Sequence, residues 1–157
     1  LLTRYSRRPG RSRHVIAVDT NMLVAFVRTE YDHHGRARDR IRGLAEAAAS
    51  WAVPWPCVHE FLAVTTNPRI FRTPLTPAQA IDAVEALLES PTICPIAKGP
   101  GYWETLRSLL AAGGVTGPKV HDARIAAICL SHGITELWTA DRDFGRFPAL
   151  RVRNPCI

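Results

Sequence analysis

Four acidic residues stand beside apolar runs, where a surface carboxylate is out of place. Asp19 closes Val15-Ile16-Ala17-Val18, and Asp141 closes Leu137-Trp138-Thr139-Ala140. Asp122 heads the helical pattern Ile125-Ala126-Ala127-Ile128, and Glu60 lies within Cys57-Val58-His59-Glu60-Phe61-Leu62-Ala63-Val64. Carboxylates are seldom buried unless they are paired or bind a cation. Four of them converging on one point would repel one another strongly. A hard cation such as Mg2+ or Mn2+, which takes oxygen ligands, removes that repulsion. Such a site polarises phosphoryl oxygens and acidifies water, so hydrolysis at phosphorus is the chemistry to expect.

The elements that must position these acids can be read from periodicity and punctuation. His14–Asp19 is short, β-branched and apolar, which predicts a fully buried strand, with a helix over Thr20–Arg28. His33–Ser50 reads as a second helix, with Ala37, Ile41, Leu44, Ala45 and Ala48 on one face. Trp51–Val53 reads as a strand closed by Pro54, and Pro56–Thr66 as an apolar helix ending near Asn67-Pro68. Thr76-Pro77-Ala78-Gln79 carries an N-cap, a first-turn proline and a capping-box Gln, starting a helix that runs to about Ser90. Asp82, Glu85 and Glu89 on that helix read as a solvated face. Thr92–Ile96 is a strand, followed by helices over Gly101–Ala112 and Lys119–Ser131. Strands over Glu136–Ala140 and Leu150–Arg153 complete the chain.

Strands alternating with helices predict an α/β fold, a parallel β-sheet flanked by α-helices on both faces. Asp19 and Asp141 then fall at the carboxyl ends of strands, where open α/β sheets bind ligands. Asp122, Ile125, Ala126 and Cys129 follow i, i+3, i+4, i+7 spacing, so Asp122 heads the core-facing stripe of its helix. A carboxylate is also favoured in the first turn of a helix. Glu60, inside its helix, is less firmly placed.

These residues carry a resemblance. Val18-Asp19-Thr20-Asn21, His59-Glu60-Phe61, His121-Asp122-Ala123-Arg124-Ile125-Ala126-Ala127 and Leu137-Trp138-Thr139-Ala140-Asp141-Arg142-Asp143-Phe144 occur in the order and spacing of the PIN-domain ribonucleases. The chain is most similar to the VapC toxins of bacterial toxin–antitoxin pairs, and Thr66-Asn67-Pro68-Arg69-Ile70-Phe71 resembles one VapC subgroup. The match spans about Val15 to Asn154. The resemblance implies a PIN-like fold and catalysis by Asp19, Glu60, Asp122 and Asp141. It implies Mg2+ or Mn2+ held by Asp19, Asp122 and Asp141, with Asp143 as a further metal-binding acid acting through water. Asn21 and Thr139 match polar positions that orient the acids. It also implies an RNA substrate, in-line hydrolysis to a 5′-phosphate and a 3′-hydroxyl, a VapB-type antitoxin, a homodimer and a cytoplasmic location. Arg69, Arg72, Arg142 and Arg146 are candidate contacts to RNA phosphates.

Composition bounds the alternatives. The 157 residues suit one domain with a single core. No apolar run is long enough for a membrane span. The formal charge of +6 is concentrated in residues 1–13, which hold five Arg and no acid, whereas the rest of the chain carries 15 basic and 14 acidic side chains. Residues 1–13 are therefore expected to be a disordered basic leader, with the PIN-like domain over residues 14–157. The four Cys lack any metal-ligand spacing and read as small buried hydrophobes of a reducing compartment. His33-His34 reads as a surface pair at a helix start, and His59 and His121 as facing away from their neighbouring acids. Trp51 and Trp138 read as core. Two other classes remain open: an Asp-nucleophile phosphohydrolase, and a non-catalytic RNA-binding or assembly module on the same fold. The first usually places an acid two residues after its nucleophile, and here that position is Asn21.

Overall fold

The computed structural model describes residues 14–157; the expected leader over residues 1–13 lies outside the described residues. Five strands, β1 (Ile16–Val18), β2 (Trp51–Pro54), β3 (Ile93–Ile96), β4 (Glu136–Trp138) and β5 (Arg151–Arg153), form one sheet in the order β3-β2-β1-β4-β5. Every pair is parallel, with Ile16 opposite both Trp51 and Glu136. The central strands are short and almost wholly buried, because helices cover both faces. Ala17, Val18, Ala52 and Leu137 are buried at the middle of the core.

Among the described residues six helices accompany the sheet: α1 (Thr20–Val27), α2 (His34–Glu46), α3 (Trp55–Thr65), α4 (Pro77–Leu88), α5 (Tyr102–Gly113) and α6 (Val120–Ser131). The helix α1 packs on α2 and α3, and α3 packs on α4, while α5 packs on α6. Connections between parallel strands are right-handed as a rule, which places the two groups on opposite faces of this sheet order. From β1 the chain winds outward to β2 and β3. It then crosses the sheet through α5 and α6 to reach β4. The crevice between the carboxyl ends of β1 and β4 is therefore the topological switch point of the sheet.

Local chemistry sets the ends of several elements. Thr76 and Gln79 form the reciprocal capping box of α4, with Pro77 at its first position. The helix α5 ends where Gly114 takes the left-handed conformation, φ 56°. The helix α2 stops at Glu46 instead of reaching Ser50, so Ala48 is exposed and not part of the buried face. Its last carbonyls face Thr92 on the strand side, whose hydroxyl lies 3.3 Å from Leu44 O and 3.5 Å from Ala45 O. The strand β4 also stops early, at Trp138. Thr139 N–H still donates to Arg153 O at 2.9 Å, but Asp141 turns the chain into a 3-10 turn over Arg142–Arg146.

One acid that the sequence did not single out is also buried. Glu136 opens β4, at the end of the sheet opposite the switch point. It accepts from the Trp138 indole at 3.1 Å and contacts the His14 ring. It is a satisfied structural carboxylate and takes no part in the site below.

Candidate active site

A cleft of about 360 Å³ opens at the switch point. Asp19, Thr20, Asn21, Glu60, Asp122, Ile125, Ala140 and Asp141 line it, together with Tyr31 and His33. All four acids singled out in the sequence therefore face one space, although they come from four elements. A larger hollow of about 490 Å³, lined by Arg36, Asp39, Arg40 and Pro155–Ile157, holds one acidic side chain between two arginines and no cluster of acids. The acids differ in burial. Asp19 is 4% exposed, Asp122 and Asp141 are half-buried, and Glu60 is exposed to the cleft. A withdrawn position in the sense of the sequence pattern thus describes Asp19 best and Glu60 least. Cys57 and Phe61 on the same helix are buried, whereas Glu60 stands at the exposed edge of that surface.

Asp19 is the most closely held. It caps α1, accepting from Thr20 N–H at 2.8 Å through Oδ1, and the Cys57 thiol lies 3.4 Å from the same oxygen. Its Oδ2 accepts from the Thr139 hydroxyl at 2.7 Å and from the Asn21 amide at 3.3 Å. Burial raises its pKa above the ordinary carboxylate value, against the opposing effect of the Thr139, Thr20 and Cys57 bonds. Thr139 is the junction between the two strand ends. It donates to Asp19 and accepts from Asp141 N–H at 3.0 Å and from the Asn21 amide at 2.8 Å. Asn21 in turn accepts from Ala140 N–H at 3.0 Å. With both ends of its amide engaged, Asn21 cannot serve as the general acid that an Asp-nucleophile phosphohydrolase requires.

Glu60 is tied to the same centre from α3: Oε2 accepts from the Thr20 hydroxyl at 2.9 Å. Asp122 stands in the first turn of α6. Its pKa is raised by burial first and by neighbouring Asp141 second, while Lys119 and Arg146 pull it down. Asp141 caps the following 3-10 turn by accepting from Asp143 N–H at 2.9 Å.

Asp143 stands apart from the other acids. It does not line the cleft; its carboxylate is exposed and paired with Lys119, which holds its pKa below the ordinary value. The four arginines proposed as phosphate contacts are all exposed, and none lines the cleft. Arg69 and Arg72 lie on the loop after α3. That loop is anchored by buried Arg28, which donates to Thr73 O at 2.8 Å and lies over the Phe71 ring at 4.2 Å. Arg146 donates to Asp143 O at 3.2 Å and is close enough to act on Asp122. The site residues missed in the sequence are Thr20, Lys119, Tyr31 and His33. Thr20 could have been found as the hydroxyl beside Asp19. His33, read there as a surface residue, in fact lines the cleft, because the turn before α2 folds back over α1. His59 stacks on Trp55 and is exposed.

Among the described residues, no three His, Cys, Asp or Glu side chains stand close enough to chelate an ion in this arrangement. The donor set nevertheless fits a hard divalent cation. It consists only of carboxylate oxygens, and burial first, with neighbouring acids second to it, raises the pKa values of Asp19 and Asp122, so a cation there would favour their ionised forms.

Residues 16–150 match the PIN domain. The chain belongs to the PIN-domain family. Within that family it falls among the VapC proteins: Ribonuclease VapC43 of Mycobacterium tuberculosis is 34% identical over 141 residues, covering 90% of this chain and 95% of the relative. Two solved structures share the PIN fold. VapBC2 from Rickettsia felis, determined bound to a DNA fragment from its promoter, gives a TM-score of 0.62 at 19% identity, covering 88% of this chain and 97% of that one. VapC20 of Mycobacterium tuberculosis, described as a Sarcin-Ricin loop cleaving toxin, gives 0.61 at 20% identity, covering 83% and 92%.

Proposed function

We propose that this PIN domain is an endoribonuclease dependent on Mg2+ or Mn2+, and the toxin of a VapBC-type toxin–antitoxin pair. The observation that carries the reading is the meeting of Asp19, Glu60, Asp122 and Asp141 in one cleft at the sheet's switch point. Thr139 and Thr20 fix two of these acids from below. Relatives named as ribonucleases, and a structural neighbour described as a toxin–antitoxin complex, support the substrate class and the antitoxin.

Asp19, Asp122 and Asp141 would hold the cation, with Glu60 on the facing helix and Asp143 at the rim. When bound, the cation supplies Lewis-acid polarisation of the scissile phosphate. The protein's part is orientation. Thr139 and Asn21 keep Asp19 aimed into the cleft, and the Asp141 cap fixes the turn that carries it. Glu60 receives the proton of the attacking water at Oε1, because Oε2 already accepts from Thr20. Arg146, beside Asp122 and Asp143, is the best placed of the four arginines to meet a flanking phosphate.

No helix among the described residues is long and apolar enough to cross a membrane. The protein would act in the cytoplasm, inhibited by a VapB-type antitoxin. It would do so as a homodimer, with the exposed Ile81 of α4 among the apolar side chains available for pairing. The test is incubation of the purified, antitoxin-free protein with total cellular RNA in Mn2+ or Mg2+, followed by mapping of new 5′-phosphate ends. Discrete cut sites that vanish in EDTA are expected; intact RNA in both metals would overturn the reading.

A further inference from the structure

Lys119 ends the 3-10 turn Gly117–Lys119 that leads into α6. Its ammonium pairs with Asp143 and lies 3.8 Å from Asp122 Oδ2, and Asp141 also acts on it. A cation is thus held at the rim of the cleft by acids from two separate segments. Asp143 is itself fixed, through its N–H on Asp141 Oδ1 at 2.9 Å and its carbonyl on Arg146 Nε at 3.2 Å. Lys119 therefore points where the turn after β4 directs it.

An RNA backbone entering this cleft meets four carboxylates. Binding of a polyanion depends on cationic side chains within reach of its phosphates. Lysine carries three N–H donors on a flexible stem. Asp143 takes one of them, and Asp122, at 3.8 Å, lies beyond hydrogen-bond range. Donors remain for a phosphate oxygen, and the side chain, 39% exposed, is accessible to one. We propose that Lys119, held in place by Asp143, contacts an RNA phosphate and positions the backbone over the acid cleft. The inference rests on the nuclease reading of the same cleft. It gives Asp143 the task of positioning the ammonium rather than that of joining Asp19, Asp122 and Asp141.

The test is fluorescence anisotropy with a labelled 12-nucleotide 2′-O-methyl RNA in Ca2+ over a range of KCl. Wild type is compared with Lys119→Met, Lys119→Arg and Asp143→Asn, and thermal melts confirm that each is folded. Lys119→Met is expected to weaken binding about tenfold and to lower the salt slope by about one. Lys119→Arg should stay within about twofold of wild type, because the charge and donors are kept. Asp143→Asn should weaken binding by less than Lys119→Met. With cleavable RNA in Mn2+, KM should rise for Lys119→Met by more than kcat falls. Equal affinity and salt slope for wild type and Lys119→Met would overturn the assignment, as would failure of the wild type to bind the oligonucleotide. If binding responds as expected but the wild type cuts no RNA, the nuclease reading falls while Lys119 stands as a backbone contact.

Discussion

The Thr20 hydroxyl donates to Glu60 Oε2 at 2.9 Å, joining α3 to the strand end that carries Asp19. The same residue's N–H donates to Asp19 Oδ1 at 2.8 Å, so one threonine orients two acids from different elements. Glu60 is the exposed member of the group and has the most rotamer freedom to lose.

Thr20→Val keeps the buried volume and the backbone cap but removes the hydroxyl. Glu60 is then free to leave the cleft. The expected result is a loss of about tenfold in kcat/KM, the equivalent of one hydrogen bond to a charged group. The melting temperature should remain within a few degrees of wild type. Steady-state cleavage of a defined RNA checks this, and unchanged kcat/KM would show that the Thr20–Glu60 bond has no catalytic role.

Thr139→Val tests the strand junction through pH. The Thr139 bond favours the ionised form of Asp19, opposing the upward push of burial. Without it the Asp19 pKa rises further. If activity needs ionised Asp19, the acid limb of the kcat/KM profile moves to higher pH in the variant. A profile with the wild-type acid limb would mean that Asp19 does not titrate in that limb, or that Thr139 does not hold it.

The raised pKa values of Asp19 and Asp122 also set a stability trend. A carboxyl that is a weaker acid when folded lets the unfolded state lose its proton first. Stability therefore falls as pH rises from the unfolded value near 3.8 through the raised folded value, and the deficit persists at neutral pH. Asp122→Asn removes one such charge. In EDTA at pH 7 it should melt higher than wild type by about 2 °C or more, and the difference should shrink at acid pH. Saturating Mn2+ should reverse the order. At a hundred times Kd a ligand contributes about 2.7 kcal/mol to the wild type, and the variant should gain far less. Scanning calorimetry with and without Mn2+ checks both; equal Mn2+ responses would remove Asp122 from the cation site.

Much of this architecture is legible in the sequence, for physical reasons that differ by element. Val15-Ile16-Ala17-Val18 is apolar on both faces because helices cover both sides of β1. Thr76-Pro77-Ala78-Gln79 carries its own cap, so the start of α4 needs no tertiary information. Asp122 declares itself by heading a stripe of Ile125, Ala126 and Cys129. The junction of Thr139 with Asn21 and Asp19 is different. Those residues match the family pattern, but their hydrogen bonds span about 120 residues and exist only once β1 and β4 lie side by side. His33 and Lys119 read in the sequence only as the first residues of helices, and their place at the cleft carries no periodic signal, because the structure puts each one residue ahead of α2 and α6. Asp143 combines both cases. Its place two residues after Asp141 is legible as a further acid of the pattern, whereas its pairing with a lysine 24 residues earlier in the chain is not.

The central claim is that the carboxylate cleft itself cuts RNA. The most direct measurement compares wild type, Asp19→Asn and Asp122→Asn, purified identically, on one RNA in Mn2+. Cleavage by the wild type with a loss of roughly a hundredfold or more in each variant is the predicted result. Equal cleavage by all three would contradict it, placing the activity outside this cleft or in a contaminating nuclease.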